Sequence, residues 1–172
     1  MKIQDVFNIC LALKKSGVDI ISNQLKGLIE RSNTFRGTFE NKDITIVGPY
    51  AFYSCTRLNN VILKNVTGVL KYGFSNCANL LLADLGKCSI IQTYSFESCG
   101  NLNTLILRNN TMCTISNVNA FNSSGFSANK SGGTVYVPQA ILSDYQNDSK
   151  WATVIGYNAN NELKAIEGSI YE

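Results

Sequence analysis

The chain has 172 residues, of which 45% are hydrophobic and only 16% charged, with a formal net charge of +3. That length suits one principal domain with a modest core, and weak, scattered positive charge argues against nucleic-acid binding, which gathers basic residues on one face. Histidine is absent, which removes Ser-His-Asp and Cys-His nucleophile pairs and histidine metal ligation together.

At the start of the chain, Val6, Phe7, Cys10, Leu11 and Leu13 recur near helical spacing, with Asp5 before them and Lys14, Lys15 and Gly17 after. This predicts a short amphipathic helix with a cationic last turn and a glycine stop. Ser22 is a good N-cap for a second short helix carrying Leu25, Leu28 and Ile29. Residues 1–42 are therefore expected to form a helical hairpin, for capping or attachment, with a polar hinge or loop from Arg31 to Lys42. The apolar run at residues 6–13 is short, interrupted by Asn8 and followed by no small-residue cleavage site. It does not read as a signal peptide, so export by the ordinary secretory route is not expected. No stretch of about 18 apolar residues exists to span a membrane.

From Tyr50 a 22-residue pattern repeats: YAFYSCTRLNNVIL, YGFSNCANLLLADL from Tyr72, and YSFESCGNLNTLIL from Tyr94. The copies share Tyr-x-Phe-x-x-Cys-x-x-Leu, giving ladders Phe52/Phe74/Phe96, Cys55/Cys77/Cys99 and Leu58/Leu80/Leu102. A degenerate copy follows at Ala120 and Phe121, offset by 25 residues, with Ser124 at the cysteine position and no leucine. Before each Phe stand two further ladders: Ile44, Val66, Cys88 and Cys113, then Val47, Val69, Ile91 and Ser116, with Ile115 expected to turn inward in place of Ser116. A fixed period in this range with interleaved leucines marks a leucine-rich solenoid, in which each coil buries its apolar face on the next.

The expected fold is a β-rich α/β repeat: a solenoid of about four coils over residues 43–132, between an N-terminal helical cap and a C-terminal strand–helix cap over residues 133–172. Five of the six cysteines fall at positions that suit small buried hydrophobes. With no CxxC pair, the spacing does not fit a zinc site, and no metal or cofactor is expected. Stacked cysteines could come within disulfide reach, but parallel Cβ vectors do not naturally give the required dihedral, so all are expected to be reduced. In the closing cap, Gly133–Pro138 reads as a strand ended by proline. Gln139–Gln146 reads as a short helix turning Ile141, Leu142 and Tyr145 inward, and Trp151 as the plug of the last coil, with Asp148 or Ser149 capping its turn.

Strand residues alternate in direction. With Leu58, Val61 and Leu63 inward, Asn60, Ile62 and Lys64 face out, followed in the next copies by Leu82, Asp84 and Gly86, then Thr104, Ile106 and Arg108, then Thr134 and Tyr136. Ile62, Leu82, Ile106 and Tyr136 would form an apolar patch of the kind that marks a contact; the alternative is that one or two stand singly or lie under the terminal segments. Asp84 reads as a solvent-facing charge without the second carboxylate that acid–base catalysis requires, and no catalytic residue is assigned. The mixture suits a protein partner or a self-contact better than a sugar. Replacing Ile62 and Ile106 together by Asp is expected to leave the fold intact and weaken association. The N-x-S/T triplets at Asn65, Asn109, Asn122 and Asn129 are expected by chance in a chain this rich in Asn, Ser and Thr.

The repeat resembles the BspA-like leucine-rich repeat family, whose copies read approximately I-G-x-x-A-F-x-x-C-x-x-L-x-x-V-x-I-P. Here Val47-Gly48-Pro49-Tyr50-Ala51-Phe52 is followed by Cys55, Leu58, Val61 and Leu63, and the likeness runs from about Asp43 to Ile166. The chain departs from the pattern in lacking the proline after Leu63, Leu85 and Leu107, and in having Gly73 and Ser95 where the family favours alanine. The resemblance implies an interaction surface, often adhesive or virion-associated, with no common catalytic site. The segment ALKKSGVDIISNQLKGLIERS, Ala12 to Ser32, is similar to the start of tail-associated structural proteins of bacterial viruses. That second likeness implies a virion component, made in the host cytoplasm, mediating assembly or host attachment. The alternative is a cell-surface adhesion protein that binds host or matrix proteins. Either way the implied partner is a protein, and self-association could run through the N-terminal helices or the exposed sheet face.

Overall fold

Each repeat copy carries two short stretches rich in apolar residues, and each stretch becomes a strand. The computed structural model describes residues 37–172; the expected helical hairpin, with Cys10, lies outside them. The longer strands are β1 (Gly37–Glu40), β3 (Leu58–Leu63), β5 (Leu82–Leu85), β7 (Thr104–Leu107), β9 (Thr134–Val137) and β10 (Glu162–Ala165). They form one parallel sheet in the order β1-β3-β5-β7-β9-β10. The shorter strands β2 (Ile46–Val47), β4 (Gly68–Val69), β6 (Ile90–Ile91) and β8 (Thr114–Ile115) form a second, in the order β2-β4-β6-β8. Register follows the repeat, with Asn60 opposite Leu82 and Leu82 opposite Thr104. This is the parallel-stranded solenoid of about four turns that the repeat implies.

Stacking of like on like fills the interior. Phe52, Phe74, Phe96 and Phe121 lie ring on ring at 4.9, 5.3 and 5.5 Å, tilted by no more than 14°. Those separations follow from the 4.7–4.9 Å spacing of hydrogen-bonded strands. Leu58, Leu80 and Leu102 are buried, as are both ladders preceding the phenylalanines, with Ile115 inside and Ser116 outside. Cys77 and Cys99 do more than fill space, because their thiols donate to Phe52 O (2.9 Å) and Phe74 O (3.1 Å) of the preceding coil. Burial pushes the Cys77 thiol well above its ordinary pKa. Cys55 is only half-buried.

The turns before Phe52, Phe74 and Phe96 are built on left-handed backbone. Tyr50, Tyr72 and Tyr94 have φ of 58°, 60° and 61°, and Ser54, Asn76, Ser98 and Ser123 repeat the conformation at φ 53–62°. A non-glycine residue there costs about 1–2 kcal/mol. Against this, Tyr50 stacks on Tyr72 at 4.8 Å and Tyr72 on Tyr94 at 5.1 Å, each contact returning about 0.5–1.5 kcal/mol. The turns also bond to the following coil through Phe52 N to Gly73 O (2.8 Å) and Ser54 N to Ser75 O (2.9 Å).

The structure differs from the sequence reading at both ends of the long sheet. The segment expected as a loop through Lys42 opens with β1, whose Phe39 pairs with Val61 and lies 5.3 Å from the Phe52 ring. At the other end β10 adds a parallel strand beyond the expected final one, with Leu163 opposite Val135. Between β9 and β10, a 3₁₀ turn (Gln139–Ile141) leads into α1 (Leu142–Asn147) and then α2 (Ser149–Gly156). Asp148 caps α2, accepting from Lys150 N and Trp151 N at 3.0 and 2.9 Å. Fully buried Trp151 meets Phe121 at 5.8 Å and Tyr145 at 5.4 Å, ending the aromatic ladder. Its indole N–H donates to Cys113 O (2.7 Å) while Cys113 N donates to the Tyr145 hydroxyl (2.7 Å), so the last coil's backbone groups are satisfied. Phe126, edge-on to Phe121 at 5.7 Å, fills the side where the degenerate copy lacks its leucine.

Candidate interaction face

The outward side chains of the long sheet form rows that run across the strands. One row is Thr38, Asn60, Leu82, Thr104, Thr134 and Glu162, and the next is Glu40, Ile62, Asp84, Ile106, Tyr136 and Lys164. Lys64, Gly86 and Arg108 follow one step further along their strands. A Cβ on Gly86 would stand 1.9 Å from Lys64 O. Only glycine fits there, and no side chain separates Lys64 from Arg108.

Both cations turn onto Asp84. Lys64 Nζ donates to Oδ2 at 2.8 Å, and Arg108 forks onto the carboxylate through Nε to Oδ1 (3.0 Å) and Nη2 to Oδ2 (3.0 Å). The expectation of a solvent-facing Asp84 is corrected accordingly: it points out of the sheet yet is 4% exposed, because two long side chains from neighbouring coils close over it. Replacing Asp84 with Ala leaves two adjacent cations uncompensated, and should lower stability by about 1–3 kcal/mol. Chemical denaturation of the Asp84→Ala and Arg108→Ala chains and of their double variant checks this, since a true pair gives strongly non-additive losses.

Ile106 follows the alternative reading of the patch, in which one or two members are covered. It lies on the outer face but is 1% exposed, and it stands outside the main core cluster. The closing segment Glu167–Glu172 reaches two residues beside it. The Tyr171 ring meets the ring of Tyr136, the strand partner of Ile106, at 4.8 Å and 66°. Tyr171 O accepts from Arg108 Nη1 at 2.8 Å. The double replacement of Ile62 and Ile106 by Asp would therefore bury a carboxylate and is no neutral probe of the face. The structure brings Arg108, held by Asp84, and Tyr136 onto Tyr171, a residue that no periodicity in the sequence singles out.

The middle of the face is half-exposed. Ile62 and Leu82 are half-buried on adjacent strands, with Asn60 and Thr104 on either side of Leu82. Asn60 Nδ2 donates to Thr38 Oγ1 (3.0 Å). At the far edge, Glu162 pairs with Lys164 at 2.7 Å. Away from this face, the described cysteines are free thiols. Cys113 donates to Cys88 across 3.7 Å, and that bond raises the Cys113 pKa while lowering that of Cys88. Among the described residues no group of His, Cys, Asp and Glu is arranged to hold a metal ion, and no helix is long and apolar enough to cross a membrane.

Residues 32–140, more than half of the chain, match the BspA type Leucine rich repeat region in 6 copies. The chain belongs to that family. No curated protein and no solved structure matches it. The BspA-type stretch begins ahead of β1, in keeping with a strand where a loop was expected. It ends before α1, so the helices, β10 and the Tyr171 segment are additions beyond the repeat. Leucine-rich solenoids of this kind are typically non-enzymatic scaffolds for protein interaction.

Proposed function

We propose that this BspA-type chain is a protein-binding module whose partner engages the outer face of the long sheet, and that it works as a structural part of a bacterial virus particle, in the tail or at the surface. The observation that carries the binding reading is the half-exposed stretch Asn60, Ile62, Leu82 and Thr104. It is an apolar pair bordered by neutral polar groups, held on a backbone whose neighbours on every side are hydrogen-bonded coils. Apolar centres with polar rims are how protein interfaces are built. The virion setting is supported by the likeness of Ala12–Ser32 to tail-associated proteins. The family itself favours a second reading, a cell-surface adhesion protein binding host or matrix proteins.

Ile62→Asp with Leu82→Asp is the appropriate probe, since both side chains are already partly in water. Circular dichroism and thermal melting should be little changed, while the native chain co-sediments with virus particles and the substituted chain does not. Finding the chain on the outer cell surface, and none in particles, would move the assignment to adhesion. Equal association by both chains would overturn the outer face as the binding surface.

A further inference from the structure

One end of the outer face is already filled by the protein's own chain. Ile106, 1% exposed, lies between Asp84 and Tyr136 in its row, and Arg108 one step along its strand is braced by Asp84. Tyr171 lays its ring against Tyr136 and gives its main-chain oxygen to Arg108. An aromatic side chain received edge-on by another ring, together with a backbone carbonyl received by a guanidinium, is the way one peptide segment reads another.

The segment that supplies Tyr171 is held by few ties. Its internal bonds are those of a turn: Ser169 N to Ile166 O (2.9 Å), Tyr171 N to Ser169 Oγ (3.1 Å) and Gly168 N to Glu172 Oε2 (3.0 Å). At its root Gln139 N donates to Glu167 Oε2 (2.8 Å). Ile170 is 90% exposed, so the segment adds nothing apolar to the interior next to Tyr171. Strand pairing ends at Ala165, and the last bond to the sheet is Ile166 N to Val137 O (2.9 Å). Arg108 has the Asp84 fork in addition to its single bond to Tyr171 O.

We infer that Ile106, Arg108 and Tyr136, braced by Asp84, form a binding subsite for an aromatic residue within a peptide segment of a partner protein, and that Tyr171 occupies it as a built-in competitor. This rests on the outer face being the binding surface, and it names the chemistry of the partner and the contact that regulates access. A partner must displace Tyr171 to extend its footprint from Ile62 and Leu82 onto Ile106 and Tyr136, so its apparent affinity is reduced by the fraction of chains in which the site is closed.

The probe is a synthetic peptide of residues 166–172, IEGSIYE, titrated into isotopically labelled full-length chain and followed by NMR. In the Tyr171→Ala chain the peptide should shift the signals of Ile106, Arg108 and Tyr136, with affinity at least about tenfold higher than for the native chain, whose own segment competes. A peptide carrying Tyr171→Ala should leave those signals in place. Tyr171→Ser supplies a second opened chain if the alanine variant folds poorly. Equal binding to native and opened chains, or no shift at these residues in either opened chain, would overturn the inference. If the peptide fails while association still depends on Ile62 and Leu82, the subsite alone is lost. If the peptide binds while association ignores Ile62 and Leu82, the subsite stands and the half-exposed stretch is not the contact.

Discussion

Truncating Phe96 to alanine should lower stability by about 3–5 kcal/mol, a large share of the 5–15 kcal/mol that holds a typical domain together. Phe96 is fully buried with Phe74 on one face at 5.3 Å and Phe121 on the other at 5.5 Å. Its removal leaves a cavity between coils whose backbones are locked by their own ladders, so the walls cannot collapse inward. Phe52, 5% exposed and nearer the edge of the described stack, should cost less when truncated. Urea denaturation followed by circular dichroism measures both. A loss below about 1 kcal/mol for Phe96→Ala would mean that the coils relax into the gap, contrary to the rigidity the ladder implies.

Trp151→Ala should be at least as damaging, at about 3–5 kcal/mol. It removes the plug over Phe121 and also orphans Cys113 O, which the indole N–H now satisfies at 2.7 Å. Trp151→Phe keeps most of the volume and loses the donor, so it should cost about 1–3 kcal/mol, the penalty for an unpaired buried acceptor. Denaturant midpoints of the two variants separate packing from hydrogen bonding. In the native chain the measurement has a clean optical signal, because Trp151 is the only tryptophan. Its emission reports on this closing cap and on nothing else.

The interior was legible in the sequence because each core position is written several times over. Phe52, Phe74 and Phe96 specify one another, and Ile115 could be preferred to Ser116 from chemistry alone. The edges were not legible, since a strand at an edge is specified once. Phe39 lies 22 residues before Val61 and offered a signal for β1, but the neighbouring copies give it no matching Phe, Cys and Leu. In β10, the inward offsets Leu163 and Ala165 are only half-buried, too faint an alternation to announce a strand. On the outer face, register placed Asp84, Ile106, Arg108 and Tyr136 on the same side. It said nothing of burial, which depends on Lys64 and Arg108 folding over Asp84 and on Tyr171 returning from outside the repeat. Period-2 reasoning gives direction; exposure is set by which side chains from other coils and segments fold over the position.

The left-handed tyrosines and their serine and asparagine counterparts restrict how this surface can drift. Two sites in each of the coils beginning at Tyr50, Tyr72 and Tyr94 hold positive φ, where valine, isoleucine and threonine are excluded by their branched β-carbons whatever their polarity. Glycine or asparagine would enter those turns without strain, yet at the tyrosine sites each would remove a ring from the stack and leave its neighbour unsupported. Selection on these solvent-lit positions therefore acts through the backbone, so the coil turns tolerate fewer residue types than their exposure alone would suggest.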